Sequence, residues 1–240
     1  MSTNRHFIVV ASASRGARYF IKNALRQGHD VTAICRAADD QAALVRMQGL
    51  LADTKLAPGG IDDAQPHGKL RASNANIMDP QTYQNLITQT PEIDAICCFV
   101  GVTKMGEVFQ NKNNLYTNTI GAIVEGMRQT RWLEMFYHGS SGCEGAPGKT
   151  VMQMPANYYC KWLLAPIQKL PGVKNYFDSE AILADAATEG LNFVIFRPAF
   201  LTTKPAARQH GHSFDTTGYD NADLPLADTK MSISREDVAE

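Results

Sequence analysis

The segment Ala11–Ala17 is a turn of small residues that lies between an apolar run and an amphipathic stretch. Residues 7–11 are Phe-Ile-Val-Val-Ala, which indicates a buried strand, and Arg18 to Gln27 has the pattern of a helix. Gly28 ends that helix, and Val31 to Cys35 follow as a second strand. This layout is typical of a dinucleotide-binding unit, in which the N-terminus of the helix binds a pyrophosphate.

Such turns usually carry three glycines, whereas this one keeps only Gly16. In one register Ala11, Ser14 and Ala17 occupy the glycine positions, and the helix then has the expected length. In the other, the positions fall on Ser12, Gly16 and Arg18, and the helix is one residue short. We favour the first register because it needs no gap.

Ser14 is the serious change in that register, because its Cβ can crowd the phosphates or its hydroxyl can donate to them. We expect the turn to retain a dinucleotide, and an empty turn is the alternative. The residues predicted to contact the cofactor here are Ala11, Ser12, Ser14, Arg15 and Gly16.

Arg36 follows the second strand directly, where a guanidinium can pair with the 2′-phosphate of an adenosine. An acidic residue at this position would favour NAD. Arg15, within the turn, adds positive charge near the phosphates. The sequence therefore predicts NADP as the cofactor.

Further polar and small residues follow other predicted strands. Met78 and Asp79 end a third strand, and Val100 and Gly101 end the apolar run that starts at Ile93. Because ligands of parallel sheets bind outside the carboxyl ends of the strands, we predict that these four residues also line the cofactor site. Ser140 and Ser141 follow a strand over 133–138, where a hydroxyl can bind a substrate carbonyl or the nicotinamide.

The amino-acid composition excludes several classes of function. The 240 residues carry 23 basic and 24 acidic side chains, with no arginine-rich run, so nucleic acid is not expected as a partner. The sequence has no stretch of eighteen apolar residues and no leader-like N-terminus, which predicts no membrane span and a cytoplasmic protein. Five cysteines without a CxxC spacing predict neither a metal site nor a disulfide framework. We expect a small-molecule substrate; a homodimer stays open.

Strands alternate with helices along the whole chain, which predicts an α/β fold with a doubly wound parallel sheet, Rossmann-like, in a single domain over 1–240. Segments at about 143–180 and 200–230 are expected to cover the substrate.

The predicted helices, apart from the first, span 40–51, 80–90, 113–130, 155–170 and 179–189. The last strand spans 191–197, and 234–240 has the pattern of a helix start. Asp178 and Glu180 are interpreted as acids at a helix N-terminus, and His138 as a buried histidine.

The chain resembles the atypical short-chain dehydrogenases/reductases of the NmrA-like, NAD(P)-binding type. The segments that carry the resemblance are residues 8–15, 28–36, 76–80, 138–141 and 189–198, the last of which is Glu-Gly-Leu-Asn-Phe-Val-Ile-Phe-Arg-Pro. The resemblance implies a Rossmann sheet, NADP near the turn and, in many members, hydride transfer. Other members sense the dinucleotide or catalyse without redox change.

In the tyrosine-dependent branch of that superfamily, a Tyr donates a proton and a Lys four residues later lowers its pKa. Here Asn157 lies four residues before Lys161, and Tyr158 lies three residues before it. Tyr158 and Lys161 are therefore an imperfect candidate pair, and a packing Tyr with a solvated Lys is the alternative.

The leading hypothesis is an NADP-dependent oxidoreductase that acts on a small apolar carbonyl or enone-like substrate. The alternatives are a cofactor-independent isomerase or cyclase and a non-catalytic NADP sensor.

Overall fold

The computed structural model describes residues 4–52, 68–101, 114–138 and 170–196, and the backbone of two short strands further along the chain. Its centre is a six-stranded sheet in which every neighbouring pair is parallel. The strands are β1 His6–Val10, β2 Asp30–Ile34, β3 Leu70–Ser73, β4 Ala95–Cys98, β5 Glu134–His138 and β6 Phe193–Phe196. Their order is β3-β2-β1-β4-β5-β6, so the direction of winding reverses between β1 and β4.

Five helices flank this sheet in the described part of the chain. They are α1 Arg15–Arg26, α2 Asp40–Leu51, α3 Pro80–Gln89, α4 Leu115–Arg128 and α5 Pro171–Thr188. Ser14, Asp39 and Asp79 precede α1, α2 and α3, and each side chain accepts a backbone N–H from the first turn of its helix. Proline begins α3 and α5, where the missing N–H would lack an intrahelical partner in any case.

The helices divide between the two faces of the sheet. One face packs a core against α3, α4 and α5 that includes Ile96, Tyr137 and Leu183. The other face packs a core against α1 and α2 that includes Val9 and Met47. Strands β1 and β4 are buried along their whole length because both faces are covered, which explains their continuous apolar runs. The predicted doubly wound parallel sheet is confirmed.

The helix before β6 differs from its prediction. It begins at Pro171 rather than at Ser179, so Asp178 and Glu180 lie inside the helix and do not mark its start. Asp178 accepts from Lys174 at 2.7 Å, one turn earlier. Glu180 is buried and accepts the hydroxyl of Tyr176, and both face the packed interior. The acids that resembled an N-terminal cap therefore serve an i, i+4 ion pair and a buried hydrogen bond.

A second, two-stranded parallel sheet joins β7 Phe200–Thr202 to β8 Ser232–Ser234. The sequence did not predict this pairing. Of the proposed substrate-covering segments, residues 171–180 belong to α5, and most of the remainder lies outside the described residues. The helices that the structure describes include none that is both long and apolar enough to cross a membrane.

Candidate functional site

The turn after β1 carries a backbone conformation that L-residues rarely adopt. Ala11 has φ of 56°, and its carbonyl accepts the N–H of Ser14 at 3.0 Å. The first glycine of a dinucleotide-binding turn permits such a bend. Ala17, the last residue of the favoured register, is fully buried where α1 meets the sheet, which is the close approach that the third glycine permits. The geometry of the turn therefore agrees with that register.

Ser12 has a role that the sequence analysis did not assign. Its side chain is fully buried, and its hydroxyl donates to the carbonyl of Ile34 at 2.7 Å and lies 3.4 Å from the sulfur of Met47. Ser12 is predicted among the residues that contact the cofactor, but its hydroxyl is directed into the core and is not available for such a contact. Ser12 instead fastens the turn to β2 and α2.

Ser14 caps α1. Its Oγ accepts the N–H of Ala17 at 3.2 Å, and its backbone carbonyl accepts the N–H of Arg18. The hydroxyl hydrogen of Ser14 stays available for a phosphate oxygen. The N–H groups of Arg15 and Gly16 lie in the first turn of α1, where no intrahelical acceptor exists. These donors and the helix dipole point toward the switch point of the sheet and favour an anion there.

Gly16 lies against two aromatic rings at the ends of β4 and β5. A Cβ at Gly16 would be 3.5 Å from the ring of Phe99 and 4.0 Å from Nε2 of His138. Phe99 and His138 stack on each other, with ring centroids 5.4 Å apart and an interplanar angle of 30°. His138, predicted to be buried, is half-buried and forms part of this wall. Sequence reasoning missed Phe99, because it lies within an apolar run that resembles any core strand.

Arg36 is exposed at the end of β2, as predicted. The loop that carries it is held in two ways: Ala37 donates to Oδ1 of Asn74 at 2.8 Å, and Arg46 of α2 donates from Nη1 to the carbonyl of Arg36. The sequence did not predict a role for Arg46. It lies six residues after Asp40, one to two turns along α2, and only the fold brings its side chain back to the end of β2. Together, Arg15, Arg36 and Arg46 make no ion pair with a described carboxylate.

The segments that follow β3 and β4 complete the edge. β3 ends at Ser73, so Met78 and Asp79 do not end the strand as predicted and lie instead in the loop before α3. The Oδ1 atoms of Asp79 and Asn76 accept the N–H groups of Gln81 and Met78, at 3.0 and 3.1 Å, so the Asp79 carboxylate serves as a helix cap. Val100 is buried, whereas Gly101 is exposed and has open space where a Cβ would stand. The parallel sheet thus brings the turn, Arg36, the Met78–Asp79 segment and the Val100–Gly101 segment to one edge. The predicted catalytic residues lie outside the described residues; they are Ser140, Ser141, Tyr158 and Lys161.

Cysteine chemistry is disfavoured at this edge. Burial raises the pKa of the Cys98 thiol to about 12 and the pKa of Cys97 still further, so both thiols stay protonated at neutral pH. The described residues include no group of three or more metal-ligating side chains.

The opposite, amino edge of the sheet holds a cavity of about 270 Å³ whose charged groups are already paired. Arg5 contacts Glu134 at 3.4 Å, Arg131 donates to two backbone carbonyls, and Asp94 accepts the N–H of His6. The cavity is lined by Arg5, Ile93, Asp94, Arg131, Trp132, Leu133, Glu134, Gly190 and Asn192.

The chain matches no protein-family model and no curated protein. Solved structures do resemble it. The terminal R domain from the myxalamid PKS-NRPS biosynthetic pathway shares 15% identity with a TM-score of 0.61, over 84% of this chain and 50% of that one. UDP-glucose 4-epimerase from Bifidobacterium longum, in complex with NAD⁺ and UDP, shares 16% identity with a TM-score of 0.56, over 82% and 53%.

A proposed NADH-flavin reductase from Streptococcus pneumoniae shares 14% identity with a TM-score of 0.56, over 98% of this chain and 90% of that one. The chain has a Rossmann fold. At these identities the likeness establishes the fold, and function has to be argued from the site. The chain spans about half the length of the R domain and of the epimerase.

Proposed function

We propose that the protein is an NADP(H)-dependent oxidoreductase that acts on a small, apolar carbonyl or enone-like substrate. The observation that carries this proposal is the position of the α1 N-terminus. The turn from Ala11 to Ser14 leads into α1 beside the point where the strand order reverses, and ligands of open α/β sheets bind at such points.

The residues of this edge suit an elongated, polyanionic cofactor. The N–H groups of Arg15 and Gly16 and the hydroxyl of Ser14 face the place where a pyrophosphate would lie. Arg36 stands one strand away, where an adenosine would extend over β2. The stacked rings of Phe99 and His138 form an aromatic wall beside Gly16. A bound NADPH supplies hydride.

In this proposal the substrate carbonyl is oriented by the hydroxyl of Ser140 or Ser141, which follow β5 in the sequence. Tyr158, with Lys161 beside it, is the candidate proton donor. Within the described helices, the corresponding i, i+4 spacing on α5 joins Tyr176 to Glu180, and both are buried. Because its hydroxyl is buried and donates to Glu180, Tyr176 is not proposed as a proton donor.

The proposal is tested by titrating the purified protein with NADPH and NADH and following binding by calorimetry. We expect micromolar binding of NADPH and weaker binding of NADH. Arg36→Glu should weaken NADPH binding about 100-fold, because it replaces a charge-assisted hydrogen bond with repulsion worth about 3 kcal/mol. The matched control is Arg5→Glu, which changes charge equally at the amino edge.

Two results would contradict the proposal. Absence of binding by either dinucleotide at millimolar concentration would show that the turn holds no cofactor. An unchanged NADPH affinity in Arg36→Glu would show that the 2′-phosphate is not bound at the end of β2.

A redox-neutral isomerase or cyclase is the second candidate, and the cap at Ser14 favours it. The Ser14 hydroxyl already occupies the N–H of Ala17, which removes one donor from the anion site, and no glycine occupies the favoured register. Turnover of a candidate substrate in the absence of dinucleotide would favour this function over the first. Strict dependence on NADPH would exclude it.

A further inference from the structure

Arg46 is held at the adenosine end of the candidate site by a contact with the backbone. Its Nη1 donates to the carbonyl of Arg36, which brings a guanidinium from the middle of α2 back to the end of β2. A guanidinium has five N–H donors in a rigid plane, and this bond uses one of them. Among the described residues no further acceptor is bonded to the Arg46 guanidinium, which lies close to Arg36.

The carboxylates of the same loop do not neutralise these two arginines. Oδ1 of Asp39 accepts the N–H of Ala42 at 2.7 Å, and Oδ1 of Asp40 accepts the N–H of Asn74 at 2.6 Å. Both acids thus hold backbone groups in place, and neither is within ion-pair distance of Arg36 or Arg46 among the described contacts. The loop therefore presents two exposed guanidiniums that make no ion pair with a carboxylate in the described part of the chain.

We propose that Arg46 is a second phosphate-binding residue, which together with Arg36 binds a phosphomonoester at the adenosine end of the cofactor. This inference rests on the proposed function, because it assigns a new residue to the same site. A phosphomonoester carries a charge of about −1.5 to −2 at neutral pH, which two guanidiniums match and one does not. Guanidiniums also bind phosphate oxygens in a planar, directional manner.

A purely structural role for Arg46 makes a different prediction. If Arg46 only held the loop through the Arg36 carbonyl, its loss would act on NADPH through the position of Arg36 and would have no further effect once Arg36 is replaced. If Arg46 binds the phosphomonoester itself, its loss also weakens NADPH binding in the Arg36→Gln variant and spares NADH, because the 2′-phosphate is the sole difference between the two molecules. The effect of Arg46→Gln in the Arg36→Gln variant therefore separates the roles.

The experiment measures Kd for NADPH and NADH in wild type, Arg46→Gln, Arg46→Lys, Arg36→Gln and the double variant Arg36→Gln/Arg46→Gln, with Arg5→Gln as the matched control at the amino edge. We expect Arg46→Gln to weaken NADPH binding about tenfold, as for loss of one charge-assisted hydrogen bond, and to change NADH binding less than about twofold by the argument above. Arg46→Lys keeps the charge but loses the planar fork, so its NADPH affinity should be intermediate. Arg5→Gln should change neither affinity.

Equal losses for NADPH and NADH in Arg46→Gln, no loss for either, or an NADPH affinity in the double variant equal to that of Arg36→Gln alone would overturn the inference. If Arg36→Gln still lowers NADPH affinity selectively in the same series, the proposed function survives that result. If wild type binds neither dinucleotide, the proposed function fails and the inference fails with it.

Discussion

The two edges of the sheet differ in whether their arginines form ion pairs with described carboxylates. At the amino edge, Arg5 contacts Glu134, Arg71 contacts Glu92, and Arg128 contacts Glu189. At the carboxyl edge, Arg15, Arg36 and Arg46 contact no described carboxylate, although acids are present nearby. Those acids bond to backbone N–H groups instead.

The edges also differ in their backbones. Gly68, at the amino edge, lies so close to β2 that a Cβ there would be 1.8 Å from the carbonyl oxygen of His29. At the carboxyl edge, Gly16 and Gly101 have room for a Cβ, whereas Ala11 adopts a left-handed conformation that a glycine would suit better. At the amino edge the charged groups are paired and the backbone is closely packed, whereas the carboxyl edge keeps hydrogen-bond donors, positive charge and space for a ligand. We infer that the amino edge contributes stability and that the carboxyl edge is the binding side.

Gly68→Ala should give the largest effect. The Cβ meets backbone rather than a flexible side chain, so β2 and β3 have to separate, and we expect a loss of about 3 kcal/mol in the free energy of unfolding. Urea denaturation followed by circular dichroism measures it. The matched control is Gly16→Ala, where the Cβ makes ordinary contact with Phe99 and the stability should change by less than about 1 kcal/mol. Equal losses in the two variants would remove the contrast between the edges.

Ala11→Val should give a smaller effect. A β-branched residue is strained in the left-handed conformation of the turn, and we expect a loss of about 2 kcal/mol in the free energy of unfolding. Ala11→Gly tests the same position without a side chain. Its relief of strain is offset by the greater entropy of the unfolded chain, so its stability should stay within about 1 kcal/mol of wild type. A valine tolerated as well as glycine would mean that the turn is not strained.

The smallest effect should be an acid-dependent loss of stability that comes from His6, at the amino edge. Its pKa is lowered from the ordinary value of 6.5 by burial and by the positive charge of Arg71, while Asp30, Glu92 and Asp94 oppose the shift. The folded protein therefore binds fewer protons than the unfolded chain. The free energy of unfolding therefore has its full value, as far as His6 contributes, above pH 6.5, and it declines as the pH falls through the pKa of His6 in the folded protein.

Urea unfolding measured between pH 5 and pH 7.5 tests this dependence. His6→Gln should flatten the profile in that range. Glutamates 92, 125 and 189 do not contribute there, because hydrogen bonds hold their pKa values below 4.5. A profile that keeps its slope in His6→Gln would assign the loss to another group.

The sequence predicted those helices and strands that are marked by neighbouring residues, such as a capping residue, a proline or an apolar run. Helix α2 has the predicted bounds, 40–51, and α3 begins at Pro80 after its Asp79 cap, as expected. The strand at Ala95–Cys98 lies inside the predicted apolar run. The start of α5 was wrong because Pro171 and Gly172 resemble a break, and a proline at the first helical position is indistinguishable in sequence from one that ends a helix.

The positions of Arg15 and Arg36 were predictable because they depend on where β1 and β2 end; that these residues bind a cofactor stays a prediction. Contacts between different elements were not predictable. Such contacts are those of Arg46 with the Arg36 carbonyl, of Ser12 with Ile34, and of Phe99 with His138. Spacing within one element carries no information about such contacts.

The hydroxyl of Ser12 has a consequence for how the two ends of the proposed site communicate. It bonds to Ile34, two residues before Arg36, and contacts Met47, the neighbour of Arg46. The buried Ser12 hydroxyl thus connects the turn to the segments that carry Arg36 and Arg46. We therefore expect binding at one end to restrict the motion of the other, and by thermodynamic linkage the two halves of a dinucleotide should then bind cooperatively, each raising the affinity for the other.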